Sequence, residues 1–203
     1  MAIVEVFADI TCPFTHVGLN RVVAQLASLG RGTDILVRAW PLEWVNGTPL
    51  DAAGVAEKIA VLNEELGVDD FGGFSVDVWP DTTIPALNLA AQAAAVDMAT
   101  GLRVSRALRA ALFVDGRDVA DDDVLADIAG DHGLESPARD PLPQVLADYE
   151  EGQRRGVRCS PDFWVGTSEF FCPALNLTRD DEAHLHSEID PDGLRRFIEA
   201  VTS

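Results

Sequence analysis

The chain has 203 residues, and its 47% apolar content predicts a globular protein with room for one domain and a subdomain. Its formal net charge of −19 repels the phosphates of nucleic acids and anionic lipid surfaces, which excludes both as main partners. The sequence has no apolar run of the ~18 residues that a membrane span needs, and its N-terminus lacks the pattern of a signal peptide, so we expect a cytoplasmic protein.

The first elements along the chain are predicted to be a strand, a helix and a second strand. Residues 2–8 are mostly apolar and predict the first strand. Pro13 suits the first position of a helix, and a stripe of apolar residues predicts that this helix continues until Gly30 and Gly32 end it. Residues 34–40 predict the second strand. A strand, a helix and a strand of these lengths indicate a βαβ unit with parallel strands.

The middle of the chain is predicted to be helical. Residues 41–49 are interpreted as a linker, after which the apolar period changes from 2 to about 3.6. Helices are predicted near residues 55–66, 86–99, 104–112, 124–128 and 142–149, and a loop is predicted over residues 67–85. Together they predict an all-helical subdomain, residues 49–155, inserted into an α/β domain.

The last part of the chain returns to a strand pattern. Residues 162–165 and 169–172 flank a turn that contains Gly166, which predicts a β-hairpin. A polar loop is predicted to follow. A closing helix is then predicted over residues 191–201, with Asp190 as its N-cap.

Cys12 is the residue with the most informative chemistry. The chain has three cysteines, an odd number that favours a reducing compartment, and their spacing predicts no metal site. Cys12 is predicted to lie where the first strand ends and the helix begins, and there the unpaired N–H groups and the helix dipole favour a thiolate. We therefore expect a nucleophile with a lowered pKa. The alternative is a buried structural cysteine.

Several segments resemble the DsbA-type elaboration of the thioredoxin fold, in particular its FrnE-like branch. The matching segments are Cys12-Pro13-Phe14-Thr15-His16-Val17-Gly18 and residues 38–43, 112–125 and 156–163. The resemblance implies an α/β thioredoxin-like fold of order β-α-β … β-β-α, whose thioredoxin-like domain is formed by residues 1–48 and 156–203. Thr15 departs from this branch, which has a second cysteine there, and Ser160 stands where valine is usual. Ser160-Pro161 is closer to hydroxychromene-carboxylate isomerases and kappa-class glutathione transferases, which carry serine at the nucleophile position.

The resemblance also implies a substrate site beside the nucleophile. It implies that Pro161 is cis, and that the backbone of Ser160 can pair with an extended peptide or a glutathione-like ligand. Pro13 and Phe14 are expected to complete the substrate-binding residues.

Three further residues could assist Cys12. Thr15 either hydrogen-bonds the sulfur of Cys12 as a second catalytic residue or is a neutral relic of a lost redox pair. Cys172, and less favourably Cys159, could resolve a mixed disulfide if it reaches Cys12; otherwise both are unreactive.

Two basic features each have two interpretations. Arg154, Arg155 and Arg158 could receive a carboxylate of an anionic thiol, or they could stabilise the C-terminus of a helix. His16 could act as an acid or base, although its position beside the motif does not require this.

The leading hypothesis is a DsbA/FrnE-like thiol–disulfide oxidoreductase in which Cys12 is the single nucleophile. No tightly bound cofactor is expected, and glutathione or mycothiol would be the co-substrate. Its partners would be a small thiol or disulfide, with a protein disulfide and a homodimer left open. The alternatives are a glutathione-type transferase or isomerase that uses a bound thiol cofactor, and a redox-inactive binding module.

Overall fold

The computed structural model of the protein describes residues 3–31 and 35–203. The main sheet has the strand order β2-β1-β3-β4, with β1 at Val4–Ala8, β2 at Ile35–Ala39, β3 at Asp162–Val165 and β4 at Ser168–Phe171. β1 and β2 are parallel, whereas β3 is antiparallel to both β1 and β4. The predicted βαβ unit and β-hairpin are therefore confirmed. Ala2, Gly32 and Asp34, which the sequence placed in or beside these elements, lie outside the described residues.

The described part of the chain also contains eight helices and a second sheet of two strands. The helices are α1 (Pro13–Ser28), α2 (Leu42–Asn46), α3 (Ala52–Leu66), α4 (Ile84–Val96), α5 (Met98–Phe113), α6 (Asp122–Asp131), α7 (Pro143–Arg155) and α8 (Pro191–Thr202). The second sheet is an antiparallel pair of β5 (Leu175–Arg179) and β6 (Leu185–Ile189). Because α2–α7 all lie between β2 and β3, the order is β-α-β, helices, β-β, the β5–β6 hairpin and a final helix. The division into a domain and an inserted subdomain at residues 49 and 155 remains a prediction.

Aspartates begin four of these helices. The side chain of each accepts a hydrogen bond from a backbone N–H in the first turn, which satisfies a donor that has no partner within the helix. These residues are Asp51, Asp97, Asp121 and Asp190. Part of the acidic excess thus has a local structural role, and the predicted cap at Asp190 is confirmed.

Three segments differ from the sequence-based prediction. The predicted linker contains the short helix α2, and the predicted helix 86–99 is two helices separated at Asp97, whose extended backbone ends α4 and whose side chain caps α5. The predicted polar loop after β4 contains the β5–β6 hairpin. Its strands have few buried residues, so the sequence lacks the apolar alternation by which strands are recognised.

The site region lies between two hydrophobic clusters. Val4, Val6 and Ala8 pack with residues of α1 and α8 on one face of the main sheet. The largest cluster joins the helices that follow β2 to Ile10 and Val17. The end of β1 and the start of α1 are therefore held from both sides.

Candidate active site

Cys12 is the N-cap residue of α1, directly after the loop that leaves β1. Its backbone is extended, and Pro13 occupies the first helical position, where a missing N–H costs no hydrogen bond. The side chain is only 4% exposed. Its Sγ donates a hydrogen bond of 2.9 Å to the backbone carbonyl oxygen of Ser160. The thiol therefore faces the loop that precedes β3, 148 residues along the chain.

The pKa of the Cys12 thiol is raised, contrary to the sequence-based expectation. Burial is the main cause, because a thiolate loses hydration there, and the carboxylate of Asp9 acts in the same direction. Hydrogen bonds from the hydroxyl and the backbone N–H of Thr15, and from the Ser160 side chain, oppose this effect by stabilising the thiolate. The prediction of a lowered pKa was wrong because it considered the effect of the helix N-terminus on the thiol and not the effect of burial by the surrounding residues.

A pair of buried hydroxyl groups joins α1 to the loop before β3. Thr15 is completely buried, and its Oγ1 lies 2.7 Å from Oγ of Ser160. Ser160 Oγ also accepts a 2.9 Å hydrogen bond from the backbone N–H of Asp9. The Thr15 hydroxyl therefore stands where a resolving cysteine would stand, and it is connected both to Cys12 and to the end of β1.

The peptide bond between Ser160 and Pro161 is cis, as the resemblance predicted. Its carbonyl oxygen is the one that accepts the hydrogen bond from Cys12. Pro13 is buried, whereas Phe14 is half-buried and packs against the largest hydrophobic cluster. Substrate binding by these four residues remains a prediction.

Arg109 is a component of the site that the sequence did not reveal. It lies on α5, is only 1% exposed, and donates from Nη2 to the backbone carbonyl of Asp9 at 2.9 Å and from Nη1 to Ser105. Burial lowers the pKa of Arg109 to about 10, against the opposing influence of charges on Asp9 and Cys12. The only sequence signal is its place between Leu108 and other apolar positions of α5, where an arginine is unexpected.

Asp9 supplies the negative charge beside this arginine. The residue is completely buried, and its carboxylate accepts hydrogen bonds from the Thr11 N–H and hydroxyl, from the Leu42 N–H and from the Thr83 hydroxyl. These bonds connect the end of β1 with the starts of α2 and α4. The sequence-based interpretation also missed this residue.

His16 is buried in an aromatic environment next to the site. Its ring lies 5.4 Å from the ring of Phe71 and 5.1 Å from that of Phe113, and its Nε2 is 3.1 Å from the backbone oxygen of Asp70. Burial, followed by the charge on Arg109, lowers the pKa of His16 to about 4. The imidazole is therefore neutral at neutral pH, which does not suit it to give a proton to a leaving thiolate.

The other two cysteines lie near Cys12 but differ in access. Cys172 is 1% exposed, and a Cβ added at Gly18 would lie 3.5 Å from its Sγ and 3.7 Å from Cγ of Pro161. Cys159 is exposed, and all three thiols are free. Burial raises the pKa of the Cys159 and Cys172 thiols, and a negative charge on Cys12 raises both pKa values further. Their proposed role as resolving thiols remains a prediction.

The three arginines near the end of α7 have separate roles. Arg154 and Arg155 pair with Glu151, and Arg155 also pairs with Glu5 at 2.6 Å. Stabilisation of the helix end therefore accounts for these two residues. Arg158 instead lines a surface cavity together with Cys159.

The sequence matches the DSBA-like thioredoxin domain over residues 3–177, so the chain belongs to this family. No curated protein sequence matches it. Within the described ranges, no helix is long and apolar enough to cross a membrane.

The fold is similar to those of three solved structures. A probable DsbA oxidoreductase from Streptomyces coelicolor has a TM-score of 0.62 and 18% identity, and the match covers 100% of this chain and 91% of that one. The cytosolic disulfide reductase DsbM from Pseudomonas aeruginosa has a TM-score of 0.55 and 15% identity over 98% of each chain, and it has also been solved with GSH. A 2-hydroxychromene-2-carboxylate isomerase has a TM-score of 0.51 and 15% identity over 83% and 88% of the two chains. At these identities the likeness shows the fold alone, and it confirms the predicted thioredoxin-like fold and DsbA-type resemblance.

Two buried groups predict opposite effects of pH on stability. His16 stays neutral in the folded protein down to about pH 4, whereas it takes up a proton near pH 6.5 in the unfolded chain. Its contribution to the free energy of unfolding therefore falls as pH falls from 6.5 to 4. Burial, followed by the charge on Glu169, raises the pKa of Asp162 to about 7, so the folded protein keeps a proton that the unfolded chain loses near pH 4. The contribution of Asp162 therefore falls as pH rises from 4 to 7. Each slope is roughly 1.4 kcal/mol per pH unit, and the two oppose each other.

We expect Asp162→Asn to unmask the His16 slope. The free energy of unfolding of this variant, measured by urea denaturation between pH 4.5 and 6.5, should rise with pH more steeply than that of the parent protein. Asp192→Asn, at an exposed position of α8, is the matched control. Equal slopes for Asp162→Asn and the parent protein would show that Asp162 is ionised in the folded protein throughout this range.

Proposed function

We propose that the protein is a thiol–disulfide oxidoreductase in which Cys12 is the single nucleophile. The observation that carries the proposal is the 2.9 Å contact between Cys12 Sγ and the carbonyl oxygen of Ser160, directly before cis-Pro161. This carbonyl is a backbone acceptor beside the reactive sulfur. An extended substrate that paired with it would bring its own disulfide next to the nucleophile.

The reaction proceeds by two exchanges. The Cys12 thiolate attacks one sulfur of a disulfide, the S–S bond breaks, and the second sulfur leaves as a thiolate, so that Cys12 carries a mixed disulfide. An external thiolate then attacks the substrate-derived sulfur and forms a disulfide with it, and Cys12 leaves as a thiolate. Since Thr15 has no sulfur, it cannot resolve the intermediate as a second motif cysteine would.

The raised pKa means that the thiolate must be favoured when substrate binds. The Cys12 thiol donates a hydrogen bond to the Ser160 carbonyl oxygen. A substrate N–H that pairs with this carbonyl competes for the same acceptor. The Thr15 hydroxyl and the positive charge of Arg109 then stabilise the anion that remains, because charge interactions between two groups are mutual.

A low-molecular-weight thiol is the proposed co-substrate, either glutathione or mycothiol, with no tightly bound cofactor. The solved structure of the P. aeruginosa disulfide reductase with GSH supports a thiol of this kind. A small disulfide is the proposed substrate, and a protein disulfide is a further candidate. The cytoplasm is the proposed location, supported by the description of that same neighbour as cytosolic. A homodimer also stays a proposal.

A second candidate function is favoured by the raised Cys12 pKa. A neutral Cys12 thiol beside the hydroxyls of Thr15 and Ser160 forms a group of donors suited to hold the sulfur of a bound thiol cofactor. The protein would then act as a transferase or isomerase of the glutathione-dependent type. Turnover that persists in Cys12→Ser with a noncovalently bound thiol would favour this candidate. A redox-inactive binding module would catalyse neither thiol–disulfide exchange nor a transferase or isomerase reaction.

The role of Thr15 gives the first test. We expect Thr15→Val to slow the alkylation of Cys12 by iodoacetamide at pH 7.5 by about 10-fold or more, because one hydrogen bond to the thiolate is worth about 1.5–3 kcal/mol. The apparent pKa from the alkylation profile should rise by about one unit or more. Cys12 is followed by mass spectrometry of its peptide, which separates it from Cys159.

Thr15→Ser is the matched control, since it keeps the hydroxyl and should retain the parent profile. If Thr15→Val and Thr15→Ser gave the same profile, Thr15 would be a relic without influence on the sulfur. The same peptide analysis of protein isolated from its native cells reports whether Cys12 carries a thiol adduct, as the proposed mechanism requires.

A further inference from the structure

The β5–β6 hairpin forms a sheet of its own beside the main sheet. A two-stranded hairpin is at best marginally stable by itself, so it needs contacts with other elements. Leu175 and Leu177 supply apolar contacts, because they join the largest hydrophobic cluster together with Val55 and Ile59 of α3. The second strand, β6, lies along the same helix. Among the described residues, the polar contacts of α3 with β6 come from Glu65.

Glu65 contacts two adjacent residues of β6. Its Oε2 accepts a 2.5 Å hydrogen bond from the backbone N–H of Ser187, and its Oε1 lies 2.8 Å from Nδ1 of His186. The Ser187 N–H, followed by the His186 side chain, lowers the pKa of Glu65, so this carboxylate is ionised at neutral pH. The helix therefore presents a negative charge to the His186 ring.

The second nitrogen of His186 faces another carboxylate. Its Nε2 lies 3.5 Å from Oδ2 of Asp180, in the turn of the hairpin. Hydrogen bonds, above all the one from the backbone N–H of His184, lower the pKa of Asp180 to about 2, so this group is ionised as well. The ring of His184 shares Asp180, with its Nδ1 at 3.1 Å, and lies 3.7 Å from Glu182. Neither of these two contacts involves α3.

An imidazole between two carboxylates needs both of its nitrogens protonated. The neutral ring has one N–H and one lone pair, so when it donates to Glu65 or to Asp180 its lone pair faces the other carboxylate. The protonated ring donates on both sides and places a positive charge between two negative ones. The hydrogen bond to Glu65, followed by the one to Asp180, accordingly raises the pKa of His186 above its ordinary value of 6.5.

We propose that Glu65, His186 and Asp180 form a pH-sensitive clasp that holds the β5–β6 hairpin on α3 while the imidazole is protonated. A docked His186 keeps its proton to a higher pH than a free one. The clasp therefore stabilises the docked hairpin fully below pH 6.5, and this contribution is lost as pH rises through the raised pKa. Histidine is the side chain whose charge changes in this range.

The clasp is connected to the candidate active site through the start of β5. The N–H of Leu175 donates to the carbonyl of Cys172 at 2.9 Å, and the N–H of Cys172 donates to the carbonyl of Pro161 at 3.3 Å. Residues 172–174 thus join the hairpin to the cis-proline loop. Because a hairpin that leaves α3 no longer restrains these residues, the clasp makes the order of the segment beside Pro161 depend on pH.

Hydrogen exchange of the full-length protein, followed by mass spectrometry at pH 6.0 and pH 8.0, tests the clasp. After correction for intrinsic exchange rates, we expect the protection of peptides from the hairpin to be about 3-fold or more lower at pH 8.0, as for the loss of exposed ion pairs. Peptides of the main sheet are the reference, because Asp162 also has its pKa near this range. The loss of protection in the hairpin should exceed the loss in the reference.

Two variants remove the effect by different routes. His186→Gln replaces the imidazole with a polar group that does not titrate. Glu65→Gln keeps an oxygen that can accept from the Ser187 N–H and removes the charge. Each variant should abolish the additional loss of protection at pH 8.0. His184→Gln is the matched control, because it removes the imidazole of the hairpin that does not contact α3, and it should respond to pH as the parent protein does.

Either of two results would overturn the inference. One is a His186→Gln variant whose hairpin loses as much protection between the two pH values as that of the parent protein. The other is an imidazole of His186 that titrates by NMR at or below pH 6.5, or with the same pKa in Glu65→Gln as in the parent protein. Both side chains are partly exposed, so the variants should fold. The clasp includes no residue of the proposed reaction, so neither result bears on Cys12 as the nucleophile.

Discussion

Replacing Cys12 with serine is expected to reduce thiol–disulfide turnover to the uncatalysed rate, a loss of about 1,000-fold or more. Serine keeps the hydrogen bond to the Ser160 carbonyl and the size of the side chain, so the fold should be retained. It removes the only group at this position that can form a mixed disulfide. The measurement is the reduction of bis(2-hydroxyethyl) disulfide by glutathione, with the protein at micromolar concentration.

Two other cysteines provide matched controls for this variant. Cys159→Ser removes an exposed thiol and should keep the parent rate if Cys12 acts alone. Cys172→Ser removes a buried thiol and tests the remaining candidate for a resolving role. A Cys12→Ser variant that turned over as fast as the parent protein would contradict the proposed reaction. A loss of turnover in Cys172→Ser alone would point to a dithiol mechanism.

Replacing Arg109 with methionine is expected to lower the stability of the protein by about 1–3 kcal/mol, as for a buried acceptor that is left without its donor. The change leaves the Asp9 carbonyl without its donor and the Asp9 carboxylate without a nearby cation. It should also raise the pKa of Cys12, because a positive charge that favours the thiolate is lost. Urea denaturation measures the first effect and the alkylation profile of Cys12 measures the second.

Two variants separate the charge of Arg109 from its packing. Arg109→Lys keeps the charge, so it should retain much of the Cys12 pKa while losing part of the stability. Arg106→Met, on the same helix, removes an exposed arginine and should change neither quantity by much. An Arg109→Met variant that lost stability but kept the parent alkylation profile would limit Arg109 to a structural role.

The sequence was most informative where local chemistry and periodicity agree. The β1–α1–β2 order follows from the apolar run of β1, from the alternation of β2, and from Pro13 at the first position of α1. The motif around Cys12 and the serine before Pro161 identified the two segments that meet in the site. The cap at Asp190 was also readable, because a capping side chain acts within a single turn.

The sequence was least informative where contacts between distant elements determine the structure. The β5–β6 hairpin is mostly exposed, so it lacks the apolar alternation that marks a strand. Arg109 is 100 residues away from Asp9, whose carbonyl it contacts, and no local pattern links the two. The ionisation of the groups in the site depends on such contacts between residues that are distant in the sequence.

The sequence by itself determined that a cysteine begins the first helix of a DSBA-like thioredoxin domain and that a threonine replaces its usual partner. Only the tertiary structure decided how that cysteine ionises. Folding buries Cys12 beside Asp9, Thr15 and Ser160, and loss of hydration there outweighs the stabilisation that the helix N-terminus offers to a thiolate. The hydration of the sulfur depends on every element packed around it, whereas its position at the helix N-terminus depends only on the neighbouring residues in the sequence.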